Sequence, residues 1–292
     1  LGRPFSLAAR LQEAGLNYRH VFHAGNFADL IKHAAVTLIM DRLIARPQSL
    51  LVLDSHAGAG TYDLTGDLAR KSGEALAGII PLMADLSAPD AFDSLKVAVS
   101  KINGKTGVRV YPGSPALIAD LLRPSDAYIG AELRPDDFDA LSLCLAASRG
   151  QARAVRTDGF DLVRDHANDR RNVFVLIDPP YEKPDDYKRI IDAIRPWLSR
   201  PQSVTILIWA PLKDLETFDS FLRRLEALGG PAALVVEARL HPLTDPMRMN
   251  GCALVLLGEP DGLEPDLEAA ARWVVDSAGG PGGRSKVWRL AG

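Results

Sequence analysis

The sequence predicts an α/β fold organised on one mostly parallel sheet, and three observations carry that prediction. Short, largely apolar runs recur at Leu50–Leu53, Ala127–Ala131, Val173–Ile177 and Val204–Trp209, most of them stopping at an acid or shortly before a proline, and Ala152–Val155, interrupted by Arg153, repeats the pattern before Asp158-Gly159. Runs of that length bounded by breakers read as strands buried on both faces. Segments of helical spacing lie between several of them, long enough for parallel crossovers. Finally, the runs at Ala233–Leu240 and Cys252–Leu257 are joined by too few residues for a helical crossover, so they pair antiparallel. Together these give a seven-stranded, mostly parallel sheet whose last strand is antiparallel.

The 292 residues suffice for one large α/β domain or two small ones, and 47% hydrophobic with 24% charged residues are the proportions of an ordinary protein with a full core. No apolar segment is long and charge-free enough to span a bilayer. Cys144 and Cys252 lack both CxxC and Cys/His ligand spacing, so neither a disulfide framework nor a zinc site is expected, and the reading is cytoplasmic. A net charge of −3 argues against strong non-specific nucleic-acid binding but leaves room for a local basic surface.

Taken in order, Leu1 to Gly15 read as an N-terminal extension, and residues 16–292 as the main domain. The block Tyr18 to His33 concentrates Tyr18, Arg19, His20, His23, Lys32 and His33 beside Phe22 and Phe27. Its three histidines share no helical register, so a polar binding edge is expected rather than a metal site. Asn26 is placed to cap a helix that starts near Ala28, with Asp29 favouring its N-terminus. After the first strand, Gly58 and Gly60 form a turn that admits a ligand close to the backbone. The spacing matches neither a dinucleotide fingerprint nor a P-loop. Residues of about 62–107 show helical patterns and no strand, and read as an inserted helical subdomain. Ser114 is placed as an N-cap with Pro115 at the first helical position. The next strand ends at Glu132, the third at Asp158-Gly159. The fourth ends at Asp178-Pro179-Pro180-Tyr181, where two prolines force the chain out of the sheet. That last loop is either a plain turn or a carboxylate, a carbonyl and an aromatic ring poised for an amine-bearing base. The tail from Gly279 is glycine- and proline-rich and reads as flexible.

Glycine loop, acid, Asp-Gly and Asp-Pro-Pro-Tyr, in that order on successive strands, resemble the Rossmann-like class I methyltransferase arrangement, which uses S-adenosylmethionine. The resemblance sharpens at Tyr18-Arg-His-x-Phe-His-Ala-Gly-Asn-x-Ala-Asp-x-x-Lys-His33, Asp54-x-His-Ala-Gly-Ala-Gly60, Tyr111-Pro-Gly-Ser-Pro115, Asp158-Gly-Phe160 and Ile177-Asp-Pro-Pro-Tyr181. These motifs are similar to those of the RlmJ family, bacterial enzymes that methylate adenine N6 in 23S ribosomal RNA. The family begins almost at the Tyr-Arg-His motif, which Leu1 to Gly15 precede. The resemblance implies cofactor contacts at His33, His56, Ser114, Glu132, Asp158 and Gly159. It also implies Asp178 as proton acceptor and Tyr18 as an RNA contact.

The expected reaction is direct methyl transfer at the loop Asp178, Pro179, Pro180 and Tyr181, with Asp178 also facing the cofactor and Gly58 and Gly60 cradling it. Tyr18, Arg19, His20, His23 and Lys32 are the expected RNA contacts. Lys183, Lys188 and Arg189 read equally as phosphate contacts or a solvated helix face. A monomer acting on 23S RNA, without metal or membrane, is expected. Adenine N6 in DNA or another RNA fits the active loop as well, and an NAD-dependent oxidoreductase is a more distant alternative that leaves Asp-Pro-Pro-Tyr without a role.

Overall fold

The computed structural model describes residues 23–66, 71–104, 107–146, 148–169, 171–200, 203–245 and 249–292. Helix α1 (Phe27–Ile44) begins where Asn26 accepts hydrogen bonds from the backbone N–H groups of Ala28 and Asp29, both at 2.9 Å. A cap of this kind is worth about 1 kcal/mol. Strand β1 (Leu50–Asp54) follows, then a glycine turn and the short β2 (Thr61–Asp63). Helices α2 (Ile79–Ala84) and α3 (Asp93–Asn103), with two 3-10 turns, occupy the stretch up to β3 (Val110–Pro112). Strands β2 and β3 pair antiparallel as a separate two-stranded ribbon. The insertion read as purely helical is therefore clamped at its base by strands, which are three residues each and too short to announce themselves by alternation.

From β3 the chain alternates regularly: α4 (Ser114–Leu121), β4 (Ala127–Ala131), α5 (Pro135–Leu145), β5 (Gln151–Val155), α6 (Gly159–Asp165) and β6 (Asn172–Ile177). It continues through α7 (Asp186–Ile194), β7 (Val204–Leu212), α8 (Leu215–Glu226), β8 (Ala233–Arg239), β9 (Gly251–Leu257), α9 (Glu264–Ala278) and β10 (Arg284–Leu290). The main sheet has the order β10-β8-β9-β7-β6-β1-β4-β5. Strands β5, β4, β1, β6 and β7 are mutually parallel, and β9 runs antiparallel to both β7 and β8. The seven expected strands are joined by an eighth. Residues Arg284–Leu290 pair antiparallel with β8 along its full length. The tail was read as flexible because Gly279-Gly-Pro-Gly-Gly283 precedes it. Those residues supply the turn that brings an alternating Arg-Ser-Lys-Val-Trp-Arg-Leu strand onto an otherwise unpaired sheet edge.

Both faces of the sheet are covered, and period-two alternation sorts the side chains. Leu50, Val52, Phe174 and Leu176 belong to the core beneath α1, α3, α4 and α9. Leu51, Leu53, Val173, Val175 and Ile177 belong to the core beneath α6, α7 and α8. This double burial explains why β1 and β6 are unbroken apolar runs. Because the central strands are parallel and in register (Leu53 opposite both Ile129 and Val175), their C-terminal ends align along one edge. Every polar station noted above therefore emerges on that edge, beside the N-terminal half of α1.

Candidate active site

Two cavities open along this edge. The first lies over the ends of β1, β4 and β5 and is lined by His33, His56, Gly58, Ser114, Glu132 and Asp158, among others. The second lies towards β7 and is lined by His23, Phe27, Tyr181, Trp209, Lys213 and His241, among others. Lys32, Asp178, Pro179 and Pro180 line both. The loop leaving β6 is thus a shared wall between two chambers, with Asp178 in it.

The wall is built around a buried charge cluster. Lys32 Nζ lies 2.6 Å from Asp178 Oδ2 and 2.8 Å from Asp29 Oδ1. Asp29 and Lys32 are one helical turn apart on α1, so α1 delivers a carboxylate and an ammonium together. The second oxygen of Asp29 accepts from the Gly25 N–H at 2.9 Å. Burial works against the Lys32 ammonium, but Asp178 and Asp29 outweigh it and hold its pKa well above the usual lysine value. Lys32, an expected RNA contact, is only 4% exposed and is held by two carboxylates, while it lines the second cavity. Helix α1 is buried on nearly all sides.

Tyr181 has φ 52°, the one non-glycine positive φ among the described residues. Such a conformation costs roughly 1–3 kcal/mol and persists where the surroundings impose it. Here the hydroxyl donates to the Trp209 carbonyl, and the ring packs 4.9 Å from Tyr187 and 5.9 Å from Trp209 between centroids. The loop Asp178–Tyr181 is therefore pinned at both ends.

In the first cavity, Glu132 follows β4 and accepts from the N–H groups of Gly58 (3.1 Å) and Arg134 (2.7 Å), which fixes its carboxylate against the glycine turn. Asp158 caps α6, accepting from Phe160 N–H at 3.0 Å, and its other oxygen accepts from Arg189 Nη2 at 2.7 Å. His33 is hydrogen-bonded through Nδ1 to the Tyr111 hydroxyl at 2.7 Å and stacks on that ring. His56 bonds Ser55 Oγ at 2.7 Å and meets Phe160 edge-on. Ser114 is not the helix cap: Gly113 holds that position with extended backbone, and the Ser114 hydroxyl donates to Asp54 Oδ2 at 2.7 Å. Tyr128 donates to the same oxygen at 3.0 Å, while Asp54 Oδ1 is buried and unpartnered. Asp54, Arg189, Phe160 and Trp209 were not among the expected site residues. The acid at the end of β1 was the legible signal for Asp54, and the Asp158-Gly-Phe160 motif that for Phe160; Arg189 on α7 and Trp209 on β7 come from packing that sequence spacing does not reveal.

Lys188 takes the solvated-face reading, whereas Arg189 takes neither of the two. Lys188 pairs with Asp192 on its own helix at 2.6 Å, and Arg189 turns inward to Asp158. Tyr18, Arg19 and His20 lie outside the described residues. His23 is described, and its Nδ1 lies 2.9 Å from Glu74 at the mouth of the second cavity. Among the described residues no group of three or more His, Cys, Asp or Glu side chains is arranged to hold a metal ion, and no helix is long and apolar enough to cross a membrane.

Two buried groups give the fold an opposed pH response. Burial pushes the His56 imidazole down from 6.5 to about 4. Burial pushes the Asp54 carboxyl up from 3.8 to about 6, against the lowering effect of Ser114 and Tyr128. Between pH 6.5 and about 4 unfolding lets His56 take up a proton, so its contribution to stability is lost as pH falls. Between pH 3.8 and about 6 unfolding releases the Asp54 proton, so its contribution is lost as pH rises. Each is worth roughly 3 kcal/mol, and the two largely offset. Denaturant titrations from pH 4 to 6 are expected to show His56→Gln losing stability as pH rises and Asp54→Asn gaining it. Parallel curves for the two variants would contradict these environments.

A family model described as ribosomal RNA large subunit methyltransferase D, RlmJ, matches residues 47–290. The chain belongs to this family. Ribosomal RNA large subunit methyltransferase J of Escherichia coli K12 is 32% identical over 260 residues, covering 89% of this chain and 92% of the relative. The Haemophilus influenzae protein of the same name is 33% identical over 256 residues, covering 87% and 90%. A crystal structure of a Legionella pneumophila protein superposes with a TM-score of 0.83 at 28% identity, over 92% of this chain and 98% of that one. As a member of the RlmJ family, the chain is an enzyme, an S-adenosylmethionine-dependent methyltransferase on a Rossmann-like sheet with inserted helices.

The first cavity fits that cofactor. Its floor admits no side chain at Gly159, where a Cβ would stand 1.7 Å from the Ser55 carbonyl oxygen, or at Gly58, where it would stand 2.3 Å from the Tyr62 hydroxyl. Gly159→Ala would push α6 away from the β1 loop, and its affinity for S-adenosylhomocysteine is expected to fall at least about tenfold by calorimetry, an overpacking effect of 1–3 kcal/mol. Unchanged affinity would place the cofactor elsewhere.

Proposed function

We propose that this RlmJ-family chain methylates the N6 amine of a specific adenine in 23S ribosomal RNA, and that the two chambers divide the work. The observation that carries this reading is the shared wall: Asp178, Pro179 and Pro180 face both the cofactor chamber and the chamber bounded by Tyr181. When bound in the first, S-adenosylmethionine supplies an electrophilic methyl group. Glu132 accepts from the ribose hydroxyls, Asp158 from the adenine amine of the cofactor, and His33, His56 and Ser114 contact its remaining length.

The target base enters the second chamber after extrusion from its stack, at a cost of a few kcal/mol. The Tyr181 ring supports its face, and the Asp178 carboxylate and Pro179 carbonyl accept from the exocyclic amine. Those hydrogen bonds oppose delocalisation of the nitrogen lone pair into the ring and leave it free to meet the methyl group where the two chambers adjoin, since direct transfer requires a near-attack separation of about 3–3.5 Å. Formation of the N–C bond is matched by cleavage of the sulfonium S–C bond, which leaves S-adenosylhomocysteine as a neutral thioether, and Asp178 accepts the proton that the amine gives up. Lys32 compensates the charge of Asp178 in a buried setting, and Asp29 holds Lys32 from the far side.

Tyr18, Arg19, His20 and His23 contact the RNA flanking the target, with His23 at the mouth of the second chamber supporting that part of the reading. Binding to a 23S fragment is expected to weaken as salt rises, because basic groups displace counterions from phosphate. Filter binding at low and moderate salt, with calorimetry of S-adenosylhomocysteine against NAD, checks the reading. Salt-independent RNA binding, or preference for NAD, would overturn it.

A further inference from the structure

Arg189 is placed where no surface cation would be. It sits on α7, the helix that follows the Asp178–Tyr181 loop, yet its guanidinium reaches back to the cofactor chamber. There it donates to Asp158 Oδ2 at 2.7 Å and lies 4.3 Å above the centre of the Phe160 ring. Phe160 in turn meets His56 edge-on, 5.0 Å between centroids. Asp158, Phe160, His56 and Arg189 all line the same cavity. The pair is partly shielded, with 26% and 27% side-chain exposure, so it is neither a solvated surface contact nor a sealed core pair.

A carboxylate offers about four acceptor positions. Asp158 uses one oxygen for the Phe160 N–H and the other for Arg189, which leaves one free position on each and removes its freedom to rotate. An arginine suits this better than a lysine, because its planar fork stacks on an aromatic ring while donating in its own plane. We infer that Arg189 is a positioning residue for cofactor selection: it locks Asp158 so that its free acceptor positions read the exocyclic amine of the cofactor's adenine. The inference rests on the reading that Asp158 receives that amine. It makes recognition of the amine depend on α7, the element leading out of the methyl-transfer loop.

The test is a two-ligand calorimetric titration with S-adenosylhomocysteine and its counterpart carrying purine without the 6-amino group. The unaltered protein is expected to prefer the amine-bearing ligand. Arg189→Gln should weaken S-adenosylhomocysteine about tenfold, the size of one charge-assisted hydrogen bond, and leave the desamino ligand unchanged. Arg189→Lys should fall between, and Asp158→Asn should remove the preference. Adding Arg189→Gln to Asp158→Asn should then cost nothing more. Equal weakening of both ligands, or of neither, would overturn the inference, because loss of packing alone cannot sense the amine. Absence of any preference in the unaltered protein would instead overturn the Asp158 contact itself. Should Arg189→Gln fold poorly by circular dichroism, the Arg189→Lys comparison decides.

Discussion

Asp178→Asn is expected to lower kcat for methyl transfer by roughly 10²–10⁴-fold, the range for losing a positioned proton acceptor. S-adenosylhomocysteine should bind this variant nearly as well as the unaltered protein. The separation of effects follows from where Asp178 stands. It lines both cavities, while Glu132, Asp158 and the glycine turn shape the first one independently of it. The amide keeps the side chain's shape and one acceptor oxygen but cannot take the amine proton as a carboxylate does. Lys32 retains Asp29 at 2.8 Å, so the fold should survive. Single-turnover kinetics together with calorimetry checks both halves. A variant with full kcat, or one that has lost the cofactor, would contradict the assigned role.

Lys32→Met is expected to have the largest effect on stability of any change at the site. Removing the cation leaves Asp29 and Asp178 facing each other with no counter-charge, and breaking a buried ion pair typically costs about 3–5 kcal/mol. Catalysis should fall with it, since Asp178 would lose the partner that fixes its carboxylate in the wall. The two consequences separate in a double variant. Adding Asp29→Asn to Lys32→Met removes one uncompensated charge and should restore part of the stability, yet leave methyl transfer impaired. Chemical denaturation and kinetics on the single and double variants measure the coupling directly. Additive destabilisation would show that the three groups do not act as a unit.

Much of the fold was legible because the physics behind it is local. Doubly buried strands need unbroken apolar runs, and Leu50–Leu53 and Val173–Ile177 supply them. Asn26 announces its helix by the cap it makes. The β8–β9 hairpin follows from a linker too short for a crossover. What escaped depends on long-range pairing. β10 is an edge strand recruited by the open side of β8, and nothing within Arg284–Leu290 says which edge it will find. The three-residue strands β2 and β3 exist only as each other's partners.

The site divides in the same way. Glu132, Asp158 and Asp178 could be read because parallel strands bring their C-terminal ends to one edge. The burial of Lys32 could not, because it depends on α1 being enclosed by α3, α4 and α9. Nor could the inward turn of Arg189, which faces solvent on any helical wheel that ignores Asp158. Ser114 was misread for a subtler reason: a serine before a proline is a good cap in isolation, but a buried Asp54 competes for its hydroxyl and wins.

The most direct test is to incubate the protein with labelled S-adenosylmethionine and a 23S ribosomal RNA transcript, digest the RNA, and map the label by mass spectrometry. The expected result is a single N6-methyladenosine, absent when Asp178→Asn replaces the unaltered protein. Label on another atom or another base, or undiminished label with Asp178→Asn, would contradict methyl transfer at the Asp178–Pro180 loop.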